Sequence, residues 1–326
     1  MSDLHATGAD KFETFLNNHL FKGQPDNLYA PMNYIMQLGG KRMRPRLLLM
    51  AYESSGLQLN DDVMKLALAI EAFHNFSLIH DDIMDHAPTR RGKPAVHKAW
   101  NEATAILAGD NMLICCYELI LSTGFSNKTE LLQIFTRTAK EVCEGQQMDM
   151  NIAEQLQISE AEYLEMIKYK TAVLPAAALQ LGALAAGLSE TTAEAFYQFG
   201  LNVGMAFQLQ DDYLDAFGKA TDIGKQEGGD IIENKKTLLY LHAIEHLSKD
   251  QSNQLISWYT NKVHDLSAKV EQVRTLFKVS GSDNYLMNLK NNYEKSAIDM
   301  LDQIDVQSDK KRPLHELVET LRVRIS

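Results

Sequence analysis

Two short runs of the sequence repeat one arrangement of carboxylates: Asp81-Asp82-Ile83-Met84-Asp85 and Asp211-Asp212-Tyr213-Leu214-Asp215, both DDxxD. On a helix, positions i and i+4 lie one above the other, so Asp81 and Asp85 offer oxygens to one place, and so do Asp211 and Asp215. Like charges this close destabilise a helix by roughly 0.2–0.5 kcal/mol per pair. Hard divalent cations offset that cost, and magnesium in particular binds through one or two carboxylates plus waters and substrate phosphates. A solvated acidic face would explain one such run. The surroundings argue otherwise, because apolar stretches at 67–79 and 203–209 precede the clusters, each of which therefore sits at the polar end of an apolar helix. Two such ends could hold metal ions, a diphosphate clamped by the metals, and a hydrocarbon tail in the apolar depth.

Basic residues that would complete a diphosphate site are also present. Lys41, Arg42, Arg44 and Arg46 gather around the Gly39-Gly40 turn and a helix start, a place suited to anions by charge and by open backbone N–H groups. Arg90-Arg91-Gly92 follows the first aspartate cluster by five residues, and with magnesium on the carboxylates these arginines become available to phosphate oxygens. His74 lies two helical turns before Asp81 on the same face, and Gln208 lies three residues before Asp211 on its face. Lys170-Thr171 is a weaker signal.

These side chains need elements to position them, and composition says which. Glycine (18), proline (7) and valine (12) are all scarce in 326 residues, which leaves too little turn punctuation and too few β-branched residues for a large sheet. Apolar residues recur at three- and four-residue steps almost throughout, with no linker or repeat, so the expectation is one continuous all-α domain over 1–326. Residues 1–27 read as an N-terminal helical arm. A helix ends at Leu38, the 39–45 turn follows, and Pro45 starts the next helix. A long helix from Asp61 to His86 is stopped by Pro88, and further helices fit 95–123, 128–150, 159–188 and 190–217. Residues 218–236, with four glycines among Lys219, Lys225, Lys235 and Lys236, read as a mobile lid loop. Helices resume at Thr237, with breaks near 248–252, 280–284 and 308–313.

Other classes of function fall away. A net charge of −11 disfavours non-specific binding to nucleic acid or anionic membranes. The uncharged stretch 171–189 holds 19 residues but is mostly alanine, with Pro175, Gly182 and Gly187, and reads as a buried core helix rather than a membrane span. Cys115, Cys116 and Cys143 form neither a disulfide framework nor a zinc motif. The start MSDLHATGAD has no secretory pattern, so a cytoplasmic protein is expected.

Taken in order, GGKRMRP (39–45), DDIMD (81–85) with RRG (90–92), GQ (145–146), KT (170–171), FQLQDDYLD (207–215) and GKQEGGD with KKT (224–237) resemble the trans-isoprenyl diphosphate synthases of the farnesyl/geranylgeranyl type. The resemblance spans roughly residues 28–240. It implies an all-α bundle around a deep central apolar cavity, usually a homodimer, condensing isopentenyl diphosphate with allylic diphosphates. It also implies magnesium, three ions with substrate bound, ligated by Asp81, Asp85 and Asp211, with Asp82, Asp212 and Asp215 acting directly or through water and neighbouring bonds. Lys41, Arg44, His74 and Arg91 would bind isopentenyl diphosphate. Arg90, Lys170, Thr171, Gln208, Lys225 and Lys235 would contact the allylic substrate. No protein nucleophile is needed, which agrees with the lack of a convincing Ser/His/Asp or Cys/His arrangement.

Product length should be decided on the helix before the first motif. Phe76 and Ser77, five and four residues before Asp81, sit about one turn deeper, where a bulky side chain would act as a floor. Phe73 belongs to the same stretch, and both aromatics also read as plain core. An aromatic followed by a small residue, with no insertion in the motif, resembles geranylgeranyl-type enzymes and favours a twenty-carbon product over a fifteen-carbon one. A terpene cyclase would not need the GGKRMRP pattern. A metal phosphohydrolase would leave the second DDxxD unexplained. A non-catalytic subunit of a heteromeric prenyl synthase would be expected to have lost aspartates that are intact here.

Overall fold

The computed structural model describes residues 8–155, 157–218 and 227–323, and their architecture is all-α. Two compact units make up the chain. The first comprises Met1–Thr138, Leu174–Tyr197 and Ile304–Pro313, and the second Ala139–Val173, Gln198–Gln303 and Leu314–Ser326.

In the first unit, α1 (Gly8–Asn18), α2 (Asp26–Gln37) and α3 (Met43–Glu53) lead into α4 (Asp61–Met84), the helix that ends in the first aspartate motif. Asn60 caps α4 by accepting from the Val63 N–H at 3.0 Å. Fourteen α4 residues, from Val63 to Asp82, are buried, so this helix has hardly any solvent face except at its end. It packs chiefly on α3 and, beyond a one-turn α5 (Val96–Ala99), on α6 (Glu102–Leu121). Phe73 meets Phe135 edge-on at 5.4 Å within this core.

Helix α4 stops two residues earlier than the sequence suggests, and Pro88 is not the cause. His86 turns left-handed (φ 52°), the His86 N–H donates to the Ile83 carbonyl (3.2 Å), and the Ala87 N–H donates to the Asp82 carbonyl (2.9 Å). That is a Schellman ending, in which two spare carbonyls are satisfied by the chain reversal itself. A two-residue antiparallel ladder then joins β1 (Thr89–Arg90) to β2 (Lys93–Pro94), an addition to the all-α expectation. Its turn is Arg91-Gly92, both left-handed (φ 53° and 73°), the pair of conformations that matches the twist of a tight hairpin.

The helix α7 (Lys128–Glu154) carries the chain across the boundary between units, as does α10 (Glu190–Phe217). Between them run α8 (Glu160–Ile167), a π-helical turn (Lys168–Ala172) and α9 (Val173–Ala185). Ser159 and Glu162 form a capping box at the start of α8. The uncharged stretch at 171–189 is the core helix it reads as, its residues Leu174, Ala176–Leu179 and Leu181 buried. Among the described residues the one helix long and apolar enough to cross a membrane is instead α6, and its Ala105, Ala108, Met112, Cys116 and Ile120 are buried in the core.

The second unit closes with α11 (Gly229–Ile232), α12 (Leu238–His246), α13 (Lys249–Thr260), α14 (Leu266–Val279) and α15 (Ser282–Gln303), followed by α16 (Ser308–Val323). Its core gathers Tyr163, Met166, Leu209, Leu238, Leu255, Val273, Phe277 and Leu286. The last break falls at 304–307 rather than 308–313, because α16 accepts Pro313 in its second turn at the cost of a backbone bond. Most of the expected lid, residues 219–226 with Lys225, lies outside the described residues.

Candidate active site

The first aspartate motif covers the last turn of α4 and its C-cap residue Asp85, where the helix dipole is already negative and three carboxylates aggravate it. The three are not equivalent. Asp82 is fully buried and bound by the Arg90 guanidinium, whose Nε donates to both carboxylate oxygens at 3.0 and 3.2 Å while Nη2 reaches Oδ1. Burial pulls the Arg90 pKa down, but the bond to Asp82 and the fields of Asp81 and Asp85 outweigh it, so this arginine stays charged. Asp81 is half-buried and Asp85 exposed, one turn apart on the same side.

The glycine turn before α3 separates its basic residues in a way their spacing conceals. Lys41 is exposed, whereas Arg42, with φ 46° and ψ 41°, is 5% exposed and turned inward. Arg44 is half-buried, and its Nε is shut from solvent without a hydrogen-bond partner. Burial and the nearby Arg91 push the Arg44 pKa down to about 10, while Glu71 opposes them. Arg91, on the hairpin, sends Nη1 to the Gly39 carbonyl and lies so close to Gly40 that a Cβ there would sit 3.0 Å from the guanidinium carbon. His74 is driven well below its ordinary pKa by burial and then by Arg44, Arg91, Arg90 and Arg42, so it stays neutral among four cations. A half-buried guanidinium with one nitrogen unpartnered, beside a second arginine and a neutral imidazole, is a place for an anion with several oxygens.

In the second unit the same division recurs. Asp212, 4% exposed, accepts from the Tyr163 hydroxyl on Oδ2 (2.5 Å) and from Gln208 Nε2 on Oδ1 (2.9 Å). Burial, then the charge of Asp230, pushes the Asp212 pKa up to about 7 against the pull of those two bonds. Tyr163 is itself pushed up by burial and by Asp212, which keeps the phenol a donor. Asp211 is exposed and Asp215 half-buried, and Asp215 Oδ1 accepts the Asp230 backbone N–H at 2.8 Å. In both motifs, then, the middle aspartate is the buried one, bonded to protein side chains, and the flanking two are less buried.

Lys170 and Thr171 reach this neighbourhood through the π-helical turn. Thr171 Oγ1 donates to Gln208 Oε1 (3.0 Å), and Lys170 Nζ to Asp149 Oδ2 (2.5 Å). Gly145 of the GQ pair lets the turn approach, since a Cβ at 145 would lie 2.2 Å from the Lys170 nitrogen. Of the KKT lysines, Lys235 pairs with Asp230 (3.2 Å) and Glu233 (3.0 Å), which outweigh burial and raise its pKa. Lys236 instead donates to the Ile152 and Gln155 carbonyls and caps the end of α7. Glu71, Tyr163, Asp149 and Asp230 do not stand out in the sequence. Their only signal is position beside or within motifs, and their partners lie 15 to 49 residues away.

On α4, Phe76 is 7% exposed between Phe73 (centroids 5.4 Å) and His80 (4.8 Å), while Phe73 is fully core. Ser77 is half-buried and spends its hydroxyl on the His74 carbonyl (2.8 Å).

Among the described residues no three His, Cys, Asp or Glu side chains converge to hold a metal unaided. The donor set at each motif is two carboxylates one turn apart, all hard oxygen. That suits magnesium, which keeps waters and takes phosphate oxygens for its remaining positions.

The chain matches the polyprenyl synthetase family over residues 25–277. It is 40% identical over 282 residues to a geranylgeranyl diphosphate synthase of Methanosarcina mazei, covering 86% of this chain and 84% of the relative. A geranylfarnesyl diphosphate synthase of Natronomonas pharaonis is 41% identical over 237 residues, 68% of this chain and 70% of that one. A crystal structure of a geranylgeranyl pyrophosphate synthase superposes with a TM-score of 0.92 at 42% identity, covering 97% of this chain and 98% of its own.

Proposed function

Because the chain belongs to the polyprenyl synthetase family and is a short-chain prenyltransferase with the all-α type I isoprenoid synthase fold, we propose that it makes geranylgeranyl diphosphate, the twenty-carbon product, by adding isopentenyl diphosphate to shorter allylic diphosphates. The observation that carries this is the shared build of the two DDxxD motifs, each with a buried middle aspartate held by protein and two less buried carboxylates flanking it one helical turn apart.

Asp81, Asp85 and Asp211 are the proposed magnesium ligands, with Asp215 in support. Bound magnesium supplies charge neutralisation for the diphosphate leaving group. Arg90 and the bond-fixed Asp82 keep the first motif in shape, as Tyr163 and Gln208 do for Asp212. Lys170 and Lys235 add positive charge for the allylic diphosphate, and Thr171 and Gln208 turn oxygen toward the cation that forms when the allylic C–O bond breaks. Arg44, Arg91, Lys41 and neutral His74 hold isopentenyl diphosphate, whose double bond attacks that cation. A proton then leaves, with the released diphosphate as its acceptor. Phe76 ends the growing chain. We further propose a cytoplasmic homodimer, joined through the exposed Ile106, Leu107, Ile114 and Leu121 of α6.

Incubation with magnesium, labelled isopentenyl diphosphate and dimethylallyl, geranyl or farnesyl diphosphate tests the activity, with products separated by chain length. Geranylgeranyl diphosphate is the expected end point. No elongation from any primer overturns the proposal, and phosphate release without condensation points to a hydrolase.

A further inference from the structure

The buried ionic knot under the glycine turn has no part in the chemistry of chain elongation. Arg42 donates Nε to Glu13 Oε1 (2.7 Å), Nη1 to Glu71 Oε1 (2.7 Å) and Nη2 to the Met36 carbonyl (2.6 Å). Glu71 is 2% exposed, and Asn75, fully buried, donates to both its carbonyl (2.8 Å) and its Oε1 (3.3 Å). Arg42 holds a left-handed conformation that side-chain-bearing residues avoid, in a segment where Gly39 and Gly40 are also at positive φ. Such strain persists where surrounding bonds over-determine it. Here the bonds come from α1, α2 and α4, and what they pin is the point from which Lys41 and Arg44 depart on either side.

Charge adds a second, independent line. Among the described residues, Glu71 is the one carboxylate whose field supports Arg42, Arg44 and Arg91 together. It lies on the stripe of α4 that carries His74 and Asp81, at steps of three and then seven residues. A lone buried carboxylate facing several guanidinium groups leaves them held together, with positive charge still in excess for a ligand.

We propose that Glu71 is a positioning residue for the isopentenyl diphosphate site, acting through Arg42 to fix the turn that aims Arg44 and Lys41, without touching the ligand. This rests on the prenyltransferase reading of that site. A Glu71 that merely repelled anions would weaken binding, and its removal would tighten it, so the direction of the effect separates the two.

The test is steady-state kinetics of full-length Glu71→Gln, Glu71→Ala, Arg42→Met and the Glu71→Ala/Arg42→Met double variant, alongside thermal melts and titration with inorganic pyrophosphate. Glu71→Gln keeps shape and one acceptor but loses the charge, and its KM for isopentenyl diphosphate should rise about 5-fold. Glu71→Ala should raise it by about 30-fold or more, with the allylic KM within about twofold. Arg42→Met should match, and the double variant should be no worse than either single one, since both break one linkage. If Glu71→Ala does not fold, Glu71→Gln and Arg42→Met carry the comparison. An unchanged or lowered KM for isopentenyl diphosphate in folded variants, or equal rises for both substrates, overturns the proposal. Wild-type protein that elongates nothing refutes the prenyltransferase reading instead, and pyrophosphate affinity still reports on the clamp.

Discussion

Replacing Phe76 by alanine separates two duties of one side chain. Phe76 is almost entirely buried, tilted on Phe73 and edge-on to His80. An aromatic side chain of this kind buries about 200 Å², and its loss from a core costs about 3–5 kcal/mol, part of it the two ring contacts at about 0.5–1.5 kcal/mol each. Truncation removes roughly six carbons, enough space for one five-carbon isoprene unit. If Phe76 stops the prenyl chain, Phe76→Ala should therefore be destabilised by about 4 kcal/mol yet yield products longer by at least one unit, twenty-five carbons and beyond. The assay is chain-length analysis of products from geranyl and farnesyl primers, with urea unfolding of the same preparations. Phe135→Leu, which loosens the Phe73 contact from the other side, is the control and should lower stability with no change in length. A destabilised Phe76→Ala enzyme with the wild-type product profile would show that the ring only fills the core.

Three further outcomes are expected. Because the His74 pKa is held well below its ordinary value, the folded protein stays unprotonated there while the unfolded chain takes up a proton below about pH 6.5. Stability should thus be fullest above that value and fall as pH drops, and His74→Gln should flatten this part of the slope in urea midpoints between pH 5 and pH 7; parallel slopes would refute the shift. Gly145→Ala, ordinarily worth up to about 1 kcal/mol of helix stability, should instead destabilise by about 2 kcal/mol or more and depress turnover, because its Cβ collides with the backbone at Lys170. A neutral or stabilising result would mean the π-helical turn can move aside. Chelation of magnesium should abolish elongation, and magnesium with pyrophosphate should raise the melting temperature more than either alone, by linkage; additive shifts would argue against a joint site.

Much of the site is legible in the sequence because its parts are local. The i, i+4 spacing puts Asp81 over Asp85 and Asp211 over Asp215 whatever the rest of the chain does, and apolar steps of three and four announce α4 and α10. Local reading fails where a distant residue decides. Lys41, Arg42, Arg44 and Arg46 look alike as a basic run, yet Arg42 is withdrawn from the surface by Glu71, 29 residues on, and by Glu13, 29 residues back. The RRG run carries no hairpin signal, since an arginine rarely takes the first left-handed position of such a turn. Pro88 looks like the stop of α4, although a chain reversal at His86 has already satisfied the helix's carbonyls.

What the chain alone determines is therefore its helical class, the two carboxylate pairs and the set of cations around them, all of which follow from short-range periodicity and composition. The tertiary structure decides how those charges are divided. Asp82 and Asp212 turn inward to Arg90 and to Tyr163 with Gln208, while Arg42 turns inward to Glu71. The reason is physical: a buried charge must be paired, and its partner is supplied by packing across sequence separations that no local pattern reveals.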